Sequence, residues 1–162
     1  MSGKSALVFL AEGAEEMETV IVVDVLRRAK IDVKLVSLDD NLLVECSRQV
    51  KITADCSLKE VQSQIFDAVI LPGGGKGAEN LRNSSQVGEI LKKHQENDKM
   101  LAAVCAAPTA FQAHDIGKGT IHKPRGQLEG LKSSKKVVQK KLKSSKTVAK
   151  RSKKSSQKVV KK

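Results

Sequence analysis

Four short apolar runs rich in β-branched residues recur along the chain: Ala6 to Ala11, Val33 to Leu38, Ala68 to Leu71 and Leu101 to Cys105. Between them lie two stretches with helical spacing. Glu16 to Ala29 repeats its apolar residues at Val20, Val23 and Leu26, and Ser85 to Asn97 does so at Val87, Ile90 and Leu91. Strands that are apolar throughout must be covered on both faces, and their alternation with amphipathic helices predicts βαβ units on a parallel sheet, an α/β fold. Leu43 to Ile52 alternates more loosely and is compatible with a hairpin on the sheet edge.

Open parallel sheets bind ligands beyond the carboxyl ends of their strands, so three loops matter. They are Glu12 to Glu18, the glycine run Pro72-Gly73-Gly74-Gly75, and the junction around Cys105. Glycines let backbone N–H groups point into a cleft, although a plain turn explains the same run. Lys76-Gly77 does not complete a Walker A motif, which needs Ser or Thr after its Lys. In Leu101-Ala102-Ala103-Val104-Cys105-Ala106-Ala107-Pro108-Thr109 an apolar run breaks into a helix, with Pro108 suited to the first turn. A thiol there faces unpaired N–H groups and a helix dipole, both of which favour the thiolate. Free cysteines are also commonly small buried hydrophobes, and this stretch alone leaves both readings open.

Charge divides the 162 residues unevenly. Residues 1–117 hold 13 Lys+Arg against 17 Asp+Glu, whereas residues 118–162 hold 17 Lys+Arg against the single acid Glu129. A mildly acidic domain over residues 1–121 is therefore expected to carry a Lys/Ser-rich tail over 122–162. From Lys132 the tail repeats every 11 residues, placing Val137-Val138, Val148-Ala149 and Val159-Val160 on one stripe if helical. Dense like charge and so thin a stripe predict disorder in isolation. Cys46, Cys56 and Cys105 have neither disulfide-framework nor metal-like spacing, so a reducing, cytoplasmic setting is expected. No segment approaches the ~20 apolar residues of a membrane helix.

The residues Ala11-Glu12-Gly13-Ala14-Glu15-Glu16-Met17-Glu18-Thr19-Val20, Cys46-Ser47-Arg48, Leu71-Pro72-Gly73-Gly74 and Cys105-Ala106-Ala107-Pro108-Thr109 resemble, in order and spacing, the ThiJ/PfpI superfamily and its protein deglycases. The resemblance runs from about residue 4 to 117. It implies a flavodoxin-like three-layer sandwich, here truncated at its C-terminus and followed by the basic tail, and it implies a homodimer. By the same resemblance Cys105 matches the nucleophile and oxidation-sensitive thiol, and Glu18 matches a protonated carboxyl that hydrogen-bonds the sulfur. The N–H groups of Gly74 and Ala106 match the oxyanion-binding pair. Arg28 and Arg48 match arginines of the pocket or dimer interface, with surface solvation as the other reading. His122 lies near the position of a pocket histidine, though its neighbours differ from the family's. Ala107 stands where the family commonly has glycine, which should crowd the turn.

The implied function is that of a cysteine-dependent glyoxalase or deglycase, or an oxidative-stress sensor, acting on small reactive carbonyls such as α-oxoaldehydes or their adducts. No cofactor or metal is implied. The competing expectation is a non-catalytic derivative whose segment Lys132 to Lys162, with 14 Lys or Arg in 31 residues and no acid or aromatic, binds nucleic acid or another polyanion without sequence preference. Within it, Lys150-Arg151-Ser152-Lys153-Lys154 looks like a nuclear import signal.

Overall fold

The computed structural model describes residues 3–117, all within one compact unit, Met1–Arg125. His122, the 11-residue repeat and the rest of Lys132 to Lys162 lie outside the described residues, as does the expected boundary at 121. In chain order the elements are β1 (Ser5–Leu10), α1 (Glu16–Arg28), β2 (Asp32–Ser37), β3 (Leu43–Glu45), β4 (Lys51–Thr53), β5 (Cys56–Ser57), α2 (Leu58–Val61), β6 (Ala68–Leu71), α3 (Gly75–Asn83), α4 (Ser85–Glu96), β7 (Met100–Ala103) and α5 (Pro108–Ala113).

Five strands form one parallel sheet in the order β5-β2-β1-β6-β7. The segment from Leu43 does form an antiparallel hairpin, but β3 and β4 make a separate two-stranded sheet rather than extending the main one. The edge of the main sheet beside β2 is taken by β5, which pairs through Cys56 and Ser57.

Why β1 is an unbroken apolar run is visible in its packing. Leu7 and Phe9 face a core with Leu81 of α3, Ile90 and Leu91 of α4 and Phe111 of α5. Ala6, Val8 and Leu10 face the opposite core, with Val23 of α1, Leu35 and Val44. Successive side chains of a strand point to opposite faces, so a strand sandwiched between two helical layers needs apolar residues at every position. The result is the three-layer sandwich expected from the sequence. Truncating Phe9, fully buried, is expected to cost about 3–5 kcal/mol.

Three helices end in the same way. Lys30, Asp98 and Asp115 adopt φ of 62, 51 and 60°. The N–H of the next residue reaches back to close each helix: Ile31 to Leu26, Lys99 to His94 and Ile116 to Phe111. These are Schellman ends, in which the left-handed residue satisfies carbonyls that the helix leaves open. Buried His94 ties α4 to the loop before β6, accepting from the Phe66 N–H at 2.9 Å through Nε2 while Nδ1 lies 2.7 Å from the Ile90 carbonyl. That pairing fixes the neutral tautomer with its proton on Nδ1.

Candidate active site

Because β1, β6 and β7 are adjacent and parallel, the segments leaving them emerge side by side. The first leads to Glu18 in the opening turn of α1, the second is Pro72-Gly73-Gly74, and the third is the turn Cys105-Ala106-Ala107 before α5. The Val104 N–H donates to the Leu71 carbonyl at 3.1 Å, carrying the β6–β7 ladder one residue past the strands. Cys105 follows at once. It is exposed, with φ of 57°.

Five non-glycine residues among the described ones have positive φ. Three are the helix ends above, and Gln49 turns the hairpin between β3 and β4. Only Cys105 sits in a left-handed conformation without a capping or hairpin role. A strained residue of this kind costs of order 1–3 kcal/mol and persists where surrounding packing imposes it. Ala107 supplies part of that packing: it is fully buried, and its φ of −64° lies in the right-handed helical region open to any residue.

Gly73 joins the three segments. Its N–H donates to Glu18 Oε2 at 2.7 Å. A Cβ there would lie 2.7 Å from the same oxygen, 2.8 Å from Cys105 Cβ and 3.1 Å from Ala106 N, so a side chain could enter only if Glu18 and the Cys105 turn shifted. The Glu18 carboxyl is thus brought beside Cys105, yet its hydrogen-bond partner is Gly73, and among the described residues no hydrogen bond reaches the sulfur. The N–H groups of Gly74, Cys105 and Ala106 likewise find no acceptor among the described residues. Free N–H groups beside a reactive thiol can hold the charge that develops on a carbonyl oxygen under attack.

A second set of glycines seals the loops. Gly74 has φ of 89°, and a Cβ on it would collide with the Gly13 carbonyl and approach Glu15 N to 2.7 Å. Glu15 N–H donates to the Gly73 carbonyl at 3.0 Å and Gly77 N–H to the Gly13 carbonyl at 3.1 Å. From the other side the hairpin turn clamps the start of α1. Ser47 N–H donates to the Ala14 carbonyl at 2.8 Å, and Arg48 N–H donates to Glu16 Oε1 at 2.9 Å. Ser47 Oγ lies 2.8 Å from both Glu15 and Glu16. The Glu16 carboxyl is held below its ordinary range by the backbone N–H bonds at the helix start and by Ser47 and Arg48.

Arg48 therefore belongs to the clamp through its backbone, while its side chain is exposed and donates to the Ser47 carbonyl at 3.3 Å. Arg28 ends α1, ten residues from Glu18 or about 15 Å along the helix, and pairs with Asp24 at 2.8 Å on the surface. Within one chain the structure does not bring Arg28 to Cys105. His122 lies outside the described residues. The contributions of Gly73 and Ser47 escape sequence reasoning. The triple glycine signals a close backbone approach, but nothing in the sequence says which glycine lies against the thiol.

The three cysteines differ sharply. Burial, together with Glu16, Glu12 and Glu15, pushes the Cys46 thiol up to about 11. Burial also raises Cys56, reinforced by Glu60. Only Cys105 is exposed. Beside it, Met17, Ile21 and Leu26 of α1 line an apolar groove of about 500 Å3 with Ile70, Ala102 and Val104, and Glu18 lies on its wall.

A model of the DJ-1/PfpI family matches residues 4–154, reaching past residue 117 into the basic segment. The chain is 51% identical over 121 residues to the Parkinson disease protein 7 homolog of Danio rerio, covering 74% of this chain and 64% of that protein. It is 38% identical over 114 residues to the glutathione-independent glyoxalase DJR-1.2 of Caenorhabditis elegans, covering 70% of this chain and 60% of that protein. The crystal structure of Drosophila melanogaster DJ-1beta superposes with a TM-score of 0.71 at 47% identity, covering 72% of this chain and 62% of that one. This chain thus spans under two thirds of the length of each.

Proposed function

The chain belongs to the DJ-1/PfpI family, and on that premise we propose that it acts through the Cys105 thiolate on small α-oxoaldehydes or their early amine adducts, as a glyoxalase or deglycase. The observation that carries this reading is the pairing of an exposed, left-handed Cys105 with Glu18 across Gly73. A relative named as a glyoxalase supports the substrate class. In this reading the sulfur adds to the aldehyde carbon, and the negative charge forming on oxygen is met by the Gly74 and Ala106 N–H groups. Glu18, held at the Gly73 N–H that adjoins Cys105, is in this reading the group that holds or delivers a proton.

The same exposure supports a second role for the thiol, reversible or terminal oxidation as a stress sensor. A homodimer is part of the proposal. Met17, Val20, Ile21 and Val25 form an apolar stripe on α1 that is more than half exposed, at the i, i+3, i+4, i+8 spacing of one helix face. Such a stripe is a candidate for burial against a second copy.

The test is lactate formation from methylglyoxal by the purified full chain. Turnover that disappears in Cys105→Ser supports catalysis at this site, whereas equal turnover in that variant, or none in the parent, rejects it. Mass spectrometry of the Cys105 peptide after mild peroxide treatment tests sensing separately. The polyanion-binding reading rests on the charge of Lys132 to Lys162 alone. It calls for duplex-DNA binding whose affinity falls with salt, about 0.9 in log-log slope per phosphate contacted.

A further inference from the structure

A cleft of about 580 Å3 opens over the carboxyl ends of β1 and β2, away from Cys105. It falls within the size range of small-molecule sites and at the end of the sheet where α/β folds take ligands. Leu10, Leu38 and Val44 give it an apolar lining. Its wall is pinned where Ser37 Oγ–H donates to the Asn41 carbonyl at 2.7 Å.

Several of the polar groups facing this cleft are uncommitted. Lys76, Asn83, Gln86 and the Asp39 carboxylate make no side-chain hydrogen bond or ion pair among the described residues. Two further amides are half used and thereby oriented. Asn41 Oδ1 accepts from the Leu43 N–H at 3.2 Å, leaving its NH2 as a donor. Asn80 Nδ2 donates to the Glu12 carbonyl at 2.9 Å, leaving Oδ1 as an acceptor. The cleft thus presents fixed donors, fixed acceptors and two amides that serve as either.

Glu12 and Asp39 against Lys76 leave no strong net charge to select an anion or a cation. Groups of both senses, with the half-buried Leu38 beside them, match a ligand that is dense in hydroxyls and also carries C–H groups. Each hydroxyl both donates and accepts. We propose that this cleft is a binding site for a neutral polyhydroxylated ring, of the monosaccharide or disaccharide class. It shares a wall with the Cys105 loops, because Lys76 packs on Gly13, where a Cβ would lie 2.6 Å from Lys76 Cβ. The site is nonetheless independent of the thiol.

The experiment is an amide NMR titration of the full chain with methyl α-D-glucopyranoside, which cannot open to an aldehyde and glycate lysines. Saturable shifts are expected at the Ser37 to Asn41 and Asn83 to Gln86 amides. They should be unchanged in Cys105→Ser, and affinity should fall about tenfold in the double variant Asn83→Ala, Gln86→Ala with the remaining spectrum intact. Absence of saturable shifts at these amides overturns the proposal, as does equal binding by the double variant. A response of the same amides to inorganic phosphate but not to the glycoside overturns the polyol assignment.

Discussion

Gly73 and Cys105 approach so closely that a Cβ on the glycine would lie 2.8 Å from that of the cysteine. The thiol is therefore placed by an absent methyl group on a neighbouring strand end. Glu18 reaches the same spot through the Gly73 N–H, so one backbone position sets both the thiol and its carboxyl neighbour.

Gly73→Ala is expected to cost about 1–3 kcal/mol, the usual range for forcing a methyl into a packed site, and to slow alkylation of Cys105 by iodoacetamide. Gly75→Ala is the control, since its Cβ would meet nothing within 4 Å. It should leave both denaturant midpoint and alkylation rate at the parental value or slightly raise stability. Matching losses in the two variants would refute the role given to Gly73.

Cys105→Gly should be more stable than Cys105→Ala by about 1 kcal/mol, because only glycine adopts a φ near 57° without steric cost. Chemical denaturation of the two variants measures the difference directly.

At neutral pH, limiting iodoacetamide should label Cys105 well before Cys46 or Cys56. Only thiolates react, and Cys46 is pushed to about 11 while Cys56 is raised by burial. Peptide mass spectrometry with time reads the order. Comparable early labelling of Cys46 would show that the hairpin turn opens far more readily than its four hydrogen bonds to Ala14, Glu15 and Glu16 imply.

Stability should fall as the pH drops below about 6.5, the value of a free imidazole. Burial lowers the pKa of His94, and Lys93 and Lys99 push the same way. The unfolded chain then binds a proton that the folded chain refuses, so the stabilisation is complete above the free-imidazole pKa and is lost progressively beneath it. Asp67 is held to about 2 by the Ser5 N–H and by Lys4 and Lys99, so its contribution changes only in stronger acid. In His94→Gln the loss between pH 6.5 and 5 should vanish from urea melts, and an unaltered slope there would assign it elsewhere.

Much of the sheet was legible because fully sandwiched strands must be apolar at every position. The expected Ala68 to Leu71 coincides with β6, and Ala6 to Ala11 and Val33 to Leu38 are each offset from β1 and β2 by one residue. The helix α3 was not legible. It opens on Gly75-Lys76-Gly77, whose two glycines are poor helix formers, and glycine is required at 77 because a Cβ would lie 2.7 Å from Ala14 Cα. Tertiary contact overrides propensity there. At the site, Cys105 and Glu18 were visible through their motifs. The Ser47 clamp was not, since a hydroxyl that bridges residues 31 and 32 positions away leaves no periodic trace.

Among the described residues β7 is the outermost strand on its side of the sheet, with Met100 and Val104 exposed. Among these residues the backbone leading to Cys105 is held from one side alone, by the β6 ladder and the Val104–Leu71 bond, so the position of the sulfur is set by β6 and the glycine loop that follows it.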